Sequence, residues 1–268
     1  MTTQPTRVAL VTGATGAIGQ AIARQLAEQP AFEVILAARN EKKAAQAVDK
    51  IKRVTGNAQV RYELVDVARP ASIQALAERW SGPLHVLINN AGITPPSRQE
   101  TPEGVELQFA TNVLGYLRMI EAFAAVLQAS APARVINVAS SMAWGLALDD
   151  LEFKRRRYDN SQAYAQAKQA NRMLTVAYAE RLQPAGITVN ACHPGDVSST
   201  LSNSLGFGGS MTPAEGAETP VWLATGPRGG QVTGRYFVNR QEQPDRFAED
   251  RAAVARLDEL CQAYLGAA

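Results

Sequence analysis

The stretch that most limits what this chain can become lies near its start. Arg7-Val8-Ala9-Leu10-Val11 is a short β-branched and apolar run, the pattern of a buried strand. It passes directly into Thr12-Gly13-Ala14-Thr15-Gly16-Ala17-Ile18-Gly19, and then into Ile22, Ala23, Leu26 and Ala27 at helical spacing. Strand, glycine-rich turn and helix in that order give a tight turn whose bare backbone can lie against a ligand. The helix start adds unpaired N–H groups and the positive end of a dipole, so the ligand that suits this turn is a pyrophosphate. A tight turn with no ligand is the plain alternative, and the flanking strand and helix weigh against it.

The rest of the chain repeats the alternation. Strands are expected at 32–39, 59–65 (ending at Asp66-Val67), 85–88 (closing on Asn89-Asn90-Ala91-Gly92), 133–141, 187–192 and 234–238. Helices are expected at 41–54, at 70–80 behind Pro70, at 213–223 and at 244–265. Residues 101–130 read as one long or broken helical segment containing Gly115, with Asn112 as its odd member, because Asn competes for backbone groups. Another helix starts from a cap at Asn160 or Ser161 and stops at Pro184 and Gly186. Strands alternating with helices predict an α/β fold, a doubly wound parallel sheet of about seven strands with helices on both faces. No repeat or second domain interrupts the 268 residues, so one domain spanning 1–268 is expected.

Composition narrows the classes of partner. With 27 basic and 25 acidic residues, net +2, nothing favours nucleic acid or an acidic partner. No run of about 18 apolar residues predicts a membrane span. Met1 to Thr6 is short and polar, unlike the apolar centre of a signal peptide. Two cysteines (Cys192, Cys261) and two distant histidines (His85, His193) make no metal site. The expectation is a soluble cytoplasmic protein.

Three places carry chemistry. The second strand ends about 20 residues beyond the last glycine of the turn, where an acid would hold the ribose of NAD and an arginine the 2′-phosphate of NADP. Here stand Arg39 and Asn40, with no acid before Glu41; an exposed arginine opening a loop is the alternative. The Asn89–Gly92 turn either ties neighbouring strands or faces a cofactor. Tyr164 and Lys168 lie four apart in an Ala- and Gln-rich helix, so they share a face. An ammonium held beside a phenol would lower its pKa from about 10 and make an acid/base couple for an alcohol oxygen. A surface tyrosine with a solvated lysine would look the same in isolation.

Two segments are free to line a pocket mouth: Met142 to Leu148, and the glycine-rich stretch Ser198 to Met211, opening a lid over about 198–223. Met142, Trp144, Leu146, Leu201, Leu205, Phe207 and Met211 make them apolar, which suits closure over a hydrophobic substrate. The alternative is a patch on the core or at a subunit interface. The run Lys154-Arg155-Arg156-Arg157 reads as a solvated face, or as a contact for an acidic substrate group.

Lined up in this way, the sequence resembles the short-chain dehydrogenase/reductase family over nearly its whole length, and within it the retinol-dehydrogenase-like branch. The resemblance rests on the Thr12-to-Gly19 loop, Asp66-Val67, Asn89 to Gly92, Asn112, Ser140, the Tyr164/Lys168 pair and Pro194-Gly195, and for the branch on Arg39, the long insert before Tyr164, Ala170-Asn171 and Gly234-Arg235-Tyr236-Phe237. It implies a Rossmann-like fold and an NADP(H)-dependent oxidoreductase that interconverts an alcohol with a ketone or aldehyde. Tyr164 would be the acid/base, Lys168 the group that lowers its pKa and holds the nicotinamide ribose, Ser140 the hydroxyl orienting the carbonyl, and Asn112 the anchor of a water relay to the lysine. The cofactor would lie on Gly13, Thr15, Gly16, Ala17, Ile18, Gly19, Arg39, Asn40, Asp66, Val67, Asn90, Ala91 and Gly92, then Tyr164, Lys168, Pro194, Gly195 and Val197.

There are departures. Gly16-Ala17 gives a spacing more like that of nucleotide-sugar epimerases and dehydratases. Ala139 replaces a common serine, leaving Ser140 or Ser141 as the active hydroxyl. Thr15 stands where many NADP-binding members carry a basic residue. An inactive NADP-binding sensor and a nucleotide-sugar epimerase or dehydratase are the rival readings. Long helices around 112–130 and 161–183 suit a homodimer or homotetramer.

Overall fold

The apolar runs become strands. In the computed structural model, which describes residues 6–266, β1 (Arg7–Thr12), β2 (Phe32–Ala38), β3 (Val60–Leu64), β4 (Val86–Asn89), β5 (Ala133–Val138), β6 (Ile187–His193) and β7 (Tyr236–Val238) run parallel. An antiparallel β8 (Gln241–Gln243) completes the order β3-β2-β1-β4-β5-β6-β7-β8. The eighth strand exceeds the seven expected, because Gln241-Glu242-Gln243 has no apolar residue to mark it. It is set by a two-residue turn at Asn239 and Arg240, both with positive φ (49° and 63°). Met1–Thr6, read as unlike a signal peptide, falls, save for Thr6, outside the described residues.

Both faces of the sheet are covered, which is why its strands read as unbroken apolar runs rather than alternating ones. Ala9 and Val11 pack with α1 (Ala17–Ala27), α2 (Glu41–Thr55) and α8 (Pro213–Thr225) on one side. Leu10 turns to the other side, towards α3 (Pro70–Glu78), α5 (Gly115–Ala129), α6 (Asn160–Leu182) and α11 (Arg251–Gly266). Three short helices, α4 (Leu107–Phe109), α7 (Thr200–Ser204) and α9 (Pro227–Gln231), fill the connections.

The expected 101–130 helix breaks into α4, a π-helical stretch Ala110–Leu114 that contains Asn112, and α5. Leu107–Ala129 reaches a mean hydropathy of 1.2, enough by length and composition for a membrane helix, but 72% of that window is buried within the protein. α6 is capped by Asp159, whose carboxylate accepts from Gln162 N at 2.8 Å, one residue ahead of the caps expected at Asn160 or Ser161. The expected 244–265 helix divides at Asp250 into α10 (Arg246–Glu249) and α11, because the Asp250 carboxylate accepts from Ala253 N and starts a new helix.

The basic run is only in part a solvated face. Lys154 and Arg155 are exposed, paired with Glu152 and Asp149. Arg156 instead lies 4.3 Å over the Phe153 ring and bonds the buried Asp150 at 3.2 Å, holding the insert against the body.

One buried ion pair ties α6 to the end of the sheet. Arg172 of α6 binds Asp245 through two bonds of 2.9 and 2.8 Å, both side chains 9% exposed, and stacks 3.8 Å from the Tyr236 ring. Asp245→Asn would leave the guanidinium buried without its counter-charge. The expected loss is about 3–5 kcal/mol in a chemical-denaturation midpoint series. A loss below about 1 kcal/mol would show that α6 does not depend on the pair.

Candidate active site

The strand order sets where a site can lie. The chain winds outward from β1 to β3, then returns to place β4 on the other side of β1. At that reversal the loops after β1 and β4 diverge and open a crevice at the C-terminal ends of the strands. Side chains brace it. Thr12 Oγ1 accepts from Asn90 N at 2.9 Å and Ala91 N at 3.1 Å, while Asn90 Nδ2 donates to Thr12 O at 2.9 Å. Gly13 sits at φ 64°, and a Cβ there would stand 2.7 Å from Ala91 Cα; at Gly19 it would stand 2.4 Å from Gly13 O. Only glycine allows the first turn and the loop after β4 to touch in this way.

The crevice encloses about 330 Å³. Of the residues expected at a cofactor, Gly13, Thr15, Gly16, Ala17, Ile18, Gly19, Arg39, Asn40, Asp66, Val67, Asn90, Ala91 and Gly92 all line it. Asn90 is both tie and lining. Asn89 is tie only: it is fully buried, and its Nδ2 donates to Asn137 Oδ1 at 3.0 Å on β5. Asn40 also caps α2, accepting from Lys43 N at 2.9 Å. Tyr164, Lys168, Pro194, Gly195 and Val197, also expected at the cofactor, do not line the crevice. Val197 packs its side chain on Gly216 of α8, and Gly195 lies against Met211.

Lys43 is a lining residue that the sequence reading missed. It stands one turn into α2, beside Arg39, so the end of β2 offers two exposed cations to the crevice. The signal was present in its three-residue offset from the Asn40 cap. Thr111, Ile93, the α7 cap Ser199 and the α7 residues Thr200 and Leu201 also line the crevice. Ser199, Thr200 and Leu201 fall within the 198–211 stretch expected at a pocket mouth; Thr111 and Ile93 were not singled out, because only the packing of the π-helical turn and the loop after β4 brings them there.

Beyond the crevice stand the residues expected to be catalytic. Ser140 follows β5; its hydroxyl accepts from Met142 N at 3.0 Å and acts on Tyr164. Ser141 is exposed and bonds His193 Nε2 at 3.2 Å instead, so Ser140 is the hydroxyl beside the tyrosine. Asn112 holds the loop after β4: its Oδ1 accepts from Ile93 N and its Nδ2 donates to Ile93 O, both at 2.9 Å. The π-helical turn aims it there, a common use of such a bulge. Its direct partners are Ile93 and Gln108; the lysine is not among them.

Lys168 differs from expectation. Its Nζ donates to Val138 O at 2.7 Å and to the buried Tyr116 hydroxyl at 3.4 Å, and lies 5.6 Å from the Tyr164 ring centroid. Burial holds its ammonium down to about 7. Tyr164 moves the opposite way from the lowered value expected: burial pushes its phenol up to about 12, opposed only by Ser140. Desolvation outweighs charge pairing here, because both groups are buried and no hydrogen bond joins them.

The loops expected to form a lid divide. Trp144 (43%) and Phe207 (47%) are exposed. Leu146 and Leu148 pack on the core, and Met211 lies against Gly195. α7 closes one side of the crevice, with Leu201 against Gly92.

A parallel sheet of this order, with a glycine turn at the reversal and a Ser, Tyr and Lys group beside it, defines a class of dinucleotide-linked oxidoreductase. The chain belongs to the short chain dehydrogenase family, which it matches over residues 7–206. It is 33% identical to retinol dehydrogenase 13 of Homo sapiens, over 95% of this chain and 83% of that protein. It is 37% identical to a "Probable oxidoreductase" of Streptomyces antibioticus, over 88% of this chain and 86% of that protein. Among solved structures it is similar to actinorhodin polyketide ketoreductase with NADPH, at 28% identity and a TM-score of 0.67, over 87% of this chain and 95% of that one.

The Lys168 environment has a pH signature. Because its folded pKa lies below the ordinary 10.5, the unfolded chain holds a proton that the folded chain releases above about pH 7. Stability therefore rises with pH through that window. Between about pH 7 and 8.5 the slope should reach up to ~1.4 kcal/mol per pH unit, and Lys168→Met should flatten it. Equal slopes in parent and variant would mean that the folded lysine keeps its charge at pH 8.

Proposed function

We propose that the protein is an NADP(H)-dependent oxidoreductase that interconverts an alcohol with a ketone or aldehyde, with a preference for hydrophobic substrates. The observation that carries this reading is the pair Arg39 and Lys43 in the crevice of the glycine loop, at the strand end where NAD-binding sites of this kind place an acid. The crevice fits a phosphorylated dinucleotide. Its floor at Gly13 and Gly19 has no room for a side chain, α1 starts with unpaired N–H groups, and two cations flank the place of a 2′-phosphate. The chemistry that such a cofactor supplies when bound is hydride transfer.

The chain's own residues would do the rest. Tyr164, kept protonated by burial, is in the form that donates to a developing alkoxide in reduction. Ser140 holds the same oxygen, and Lys168, held by Val138 O and Tyr116, places an ionisable ammonium near the Tyr164 ring. Trp144 and Phe207 favour an apolar substrate, since both sit on loops leaving the catalytic ends of strands and neither is used by the core. The similarity to retinol dehydrogenase 13 and to a ketoreductase with NADPH supports both halves of the reading.

The cofactor half is checked by dissociation constants. NADPH should bind more tightly than NADH by about ten- to a hundredfold, and Arg39→Ala should remove most of that preference, with Lys43→Ala removing part. Equal affinities in the parent would overturn it. The catalytic half is checked by turnover on a panel of carbonyls followed at the nicotinamide absorbance. Apolar ketones and aldehydes should be better substrates than small polar ones. Tyr164→Phe should lower kcat by roughly 10²–10⁴-fold with NADPH binding nearly intact. A variant retaining more than about a tenth of the parent rate would transfer the acid/base role to another group.

A further inference from the structure

The opposite end of the sheet carries charge that the crevice does not use. A cavity of about 570 Å³ opens at the N-terminal ends of the strands, lined by Arg7 of β1, His85 just before β4, Arg134 of β5, Thr188 of β6 and Gln231 of α9. Among the described residues, no carboxylate lines it. Among the described residues no acidic group acts on either guanidinium; Arg134 instead feels Arg7 as a like charge.

Each group keeps a donor for the cavity. Arg134 uses one nitrogen, Nη1, on the end of α8, donating to Leu223 O, Ala224 O and Gly226 O at 2.8, 3.0 and 2.6 Å. Its Nη2 and Nε lie beside Gly230, where a Cβ would stand 2.9 and 3.4 Å from them. The missing side chain leaves that edge of the fork uncovered. Arg7 rests a face on the Phe32 ring, 5.2 Å from its centroid, which leaves the edge of its guanidinium for a ligand. His85 Nδ1 accepts from Val8 N at 3.0 Å. The neutral ring therefore carries its proton on Nε2, as a donor. Two half-buried like charges with no counter-ion are unfavourable by themselves and favourable around an anion. Guanidinium forks match the oxygens of phosphate.

We propose that this cavity is a binding site for a phosphate dianion, free or carried as a small phosphate monoester, held by Arg7, Arg134 and the Nε2–H of His85. It is separate from the dinucleotide crevice: the two lie at opposite ends of the same strands, ~20 Å apart for a six-residue strand such as β1.

The test is a titration of ¹⁵N-labelled protein, saturated with NADPH, with inorganic phosphate at fixed ionic strength. Saturable amide shifts centred on Val8, His85 and Gly230 are expected. Arg7→Gln should weaken phosphate binding about tenfold, and Gly230→Ala, which crowds Arg134, should weaken it as well. A parallel titration with glycerol phosphate separates the sources: tighter binding than phosphate supports a monoester ligand, weaker binding supports the free ion. Shifts that do not saturate, saturable shifts confined to the glycine loop and Arg39, or an Arg7→Gln affinity equal to the parent's would overturn the site.

Discussion

The geometry of the crevice depends on one clasp between the first and fourth strands. Thr12 presents its hydroxyl to two backbone N–H groups of the β4 loop, and Asn90 returns its amide to the carbonyl of Thr12. Adjacent parallel strands share a ladder, but past their ends nothing in a sheet keeps their loops together. The clasp supplies those missing hydrogen bonds at the reversal point, where buried backbone groups would otherwise lack partners. Gly13 and Gly19 follow from it, because the distances it imposes leave no volume for Cβ. The narrowness of the crevice at the glycine turn is thus a consequence of how tightly the two loops are drawn together.

Burial then decides the chemistry. The sequence suggests an ammonium that lowers a phenol's pKa by proximity, yet Lys168 is tethered to Val138 O and Tyr116, and both Lys168 and Tyr164 are buried. Removing charge from water dominates over attraction across 5–6 Å when no hydrogen bond links the groups. The result is a protonated tyrosine beside a lysine whose proton is easily released. Under the proposed chemistry this arrangement favours giving a proton to an oxygen, and charge pairing becomes available only as negative charge develops.

Much of this fold was legible because its signals are local. β1 and β2 are buried on both faces, so their apolar runs are unbroken; the glycine turn is short and flanked on both sides by regular elements. The illegible parts depend on contacts distant in sequence. Gln241-Glu242-Gln243 is a strand only because β7 offers an edge. Asp245 caps α10 through Phe247 N and is held in place by Arg172, 73 residues away, in a buried pair. Lys43 joins Arg39 through the pitch of α2, and Tyr116 becomes the partner of Lys168 through the packing of α5 beneath β5. The cap of α6 was missed by a single residue, since Asp159, Asn160 and Ser161 are all competent caps and only the backbone selects among them.

The same distinction separates what the loops hold from what they offer. In the segment after β5, Leu146 and Leu148 are drawn onto the core, and the Arg156–Asp150 pair fixes its far end. In the segment after β6, Met211 lies in the space left by Gly195, and Val197 bridges it through the backbone. With their bases fixed in this way, Trp144 and Phe207 are the large side chains that these loops leave in water. A loop anchored at both ends can move its tip without disturbing the sheet, so variation at the tip alters what reaches Tyr164 at little expense to the fold. Under the proposed function, cofactor choice is therefore a property of the rigid end of β2, and substrate choice a property of two tips whose anchors lie elsewhere.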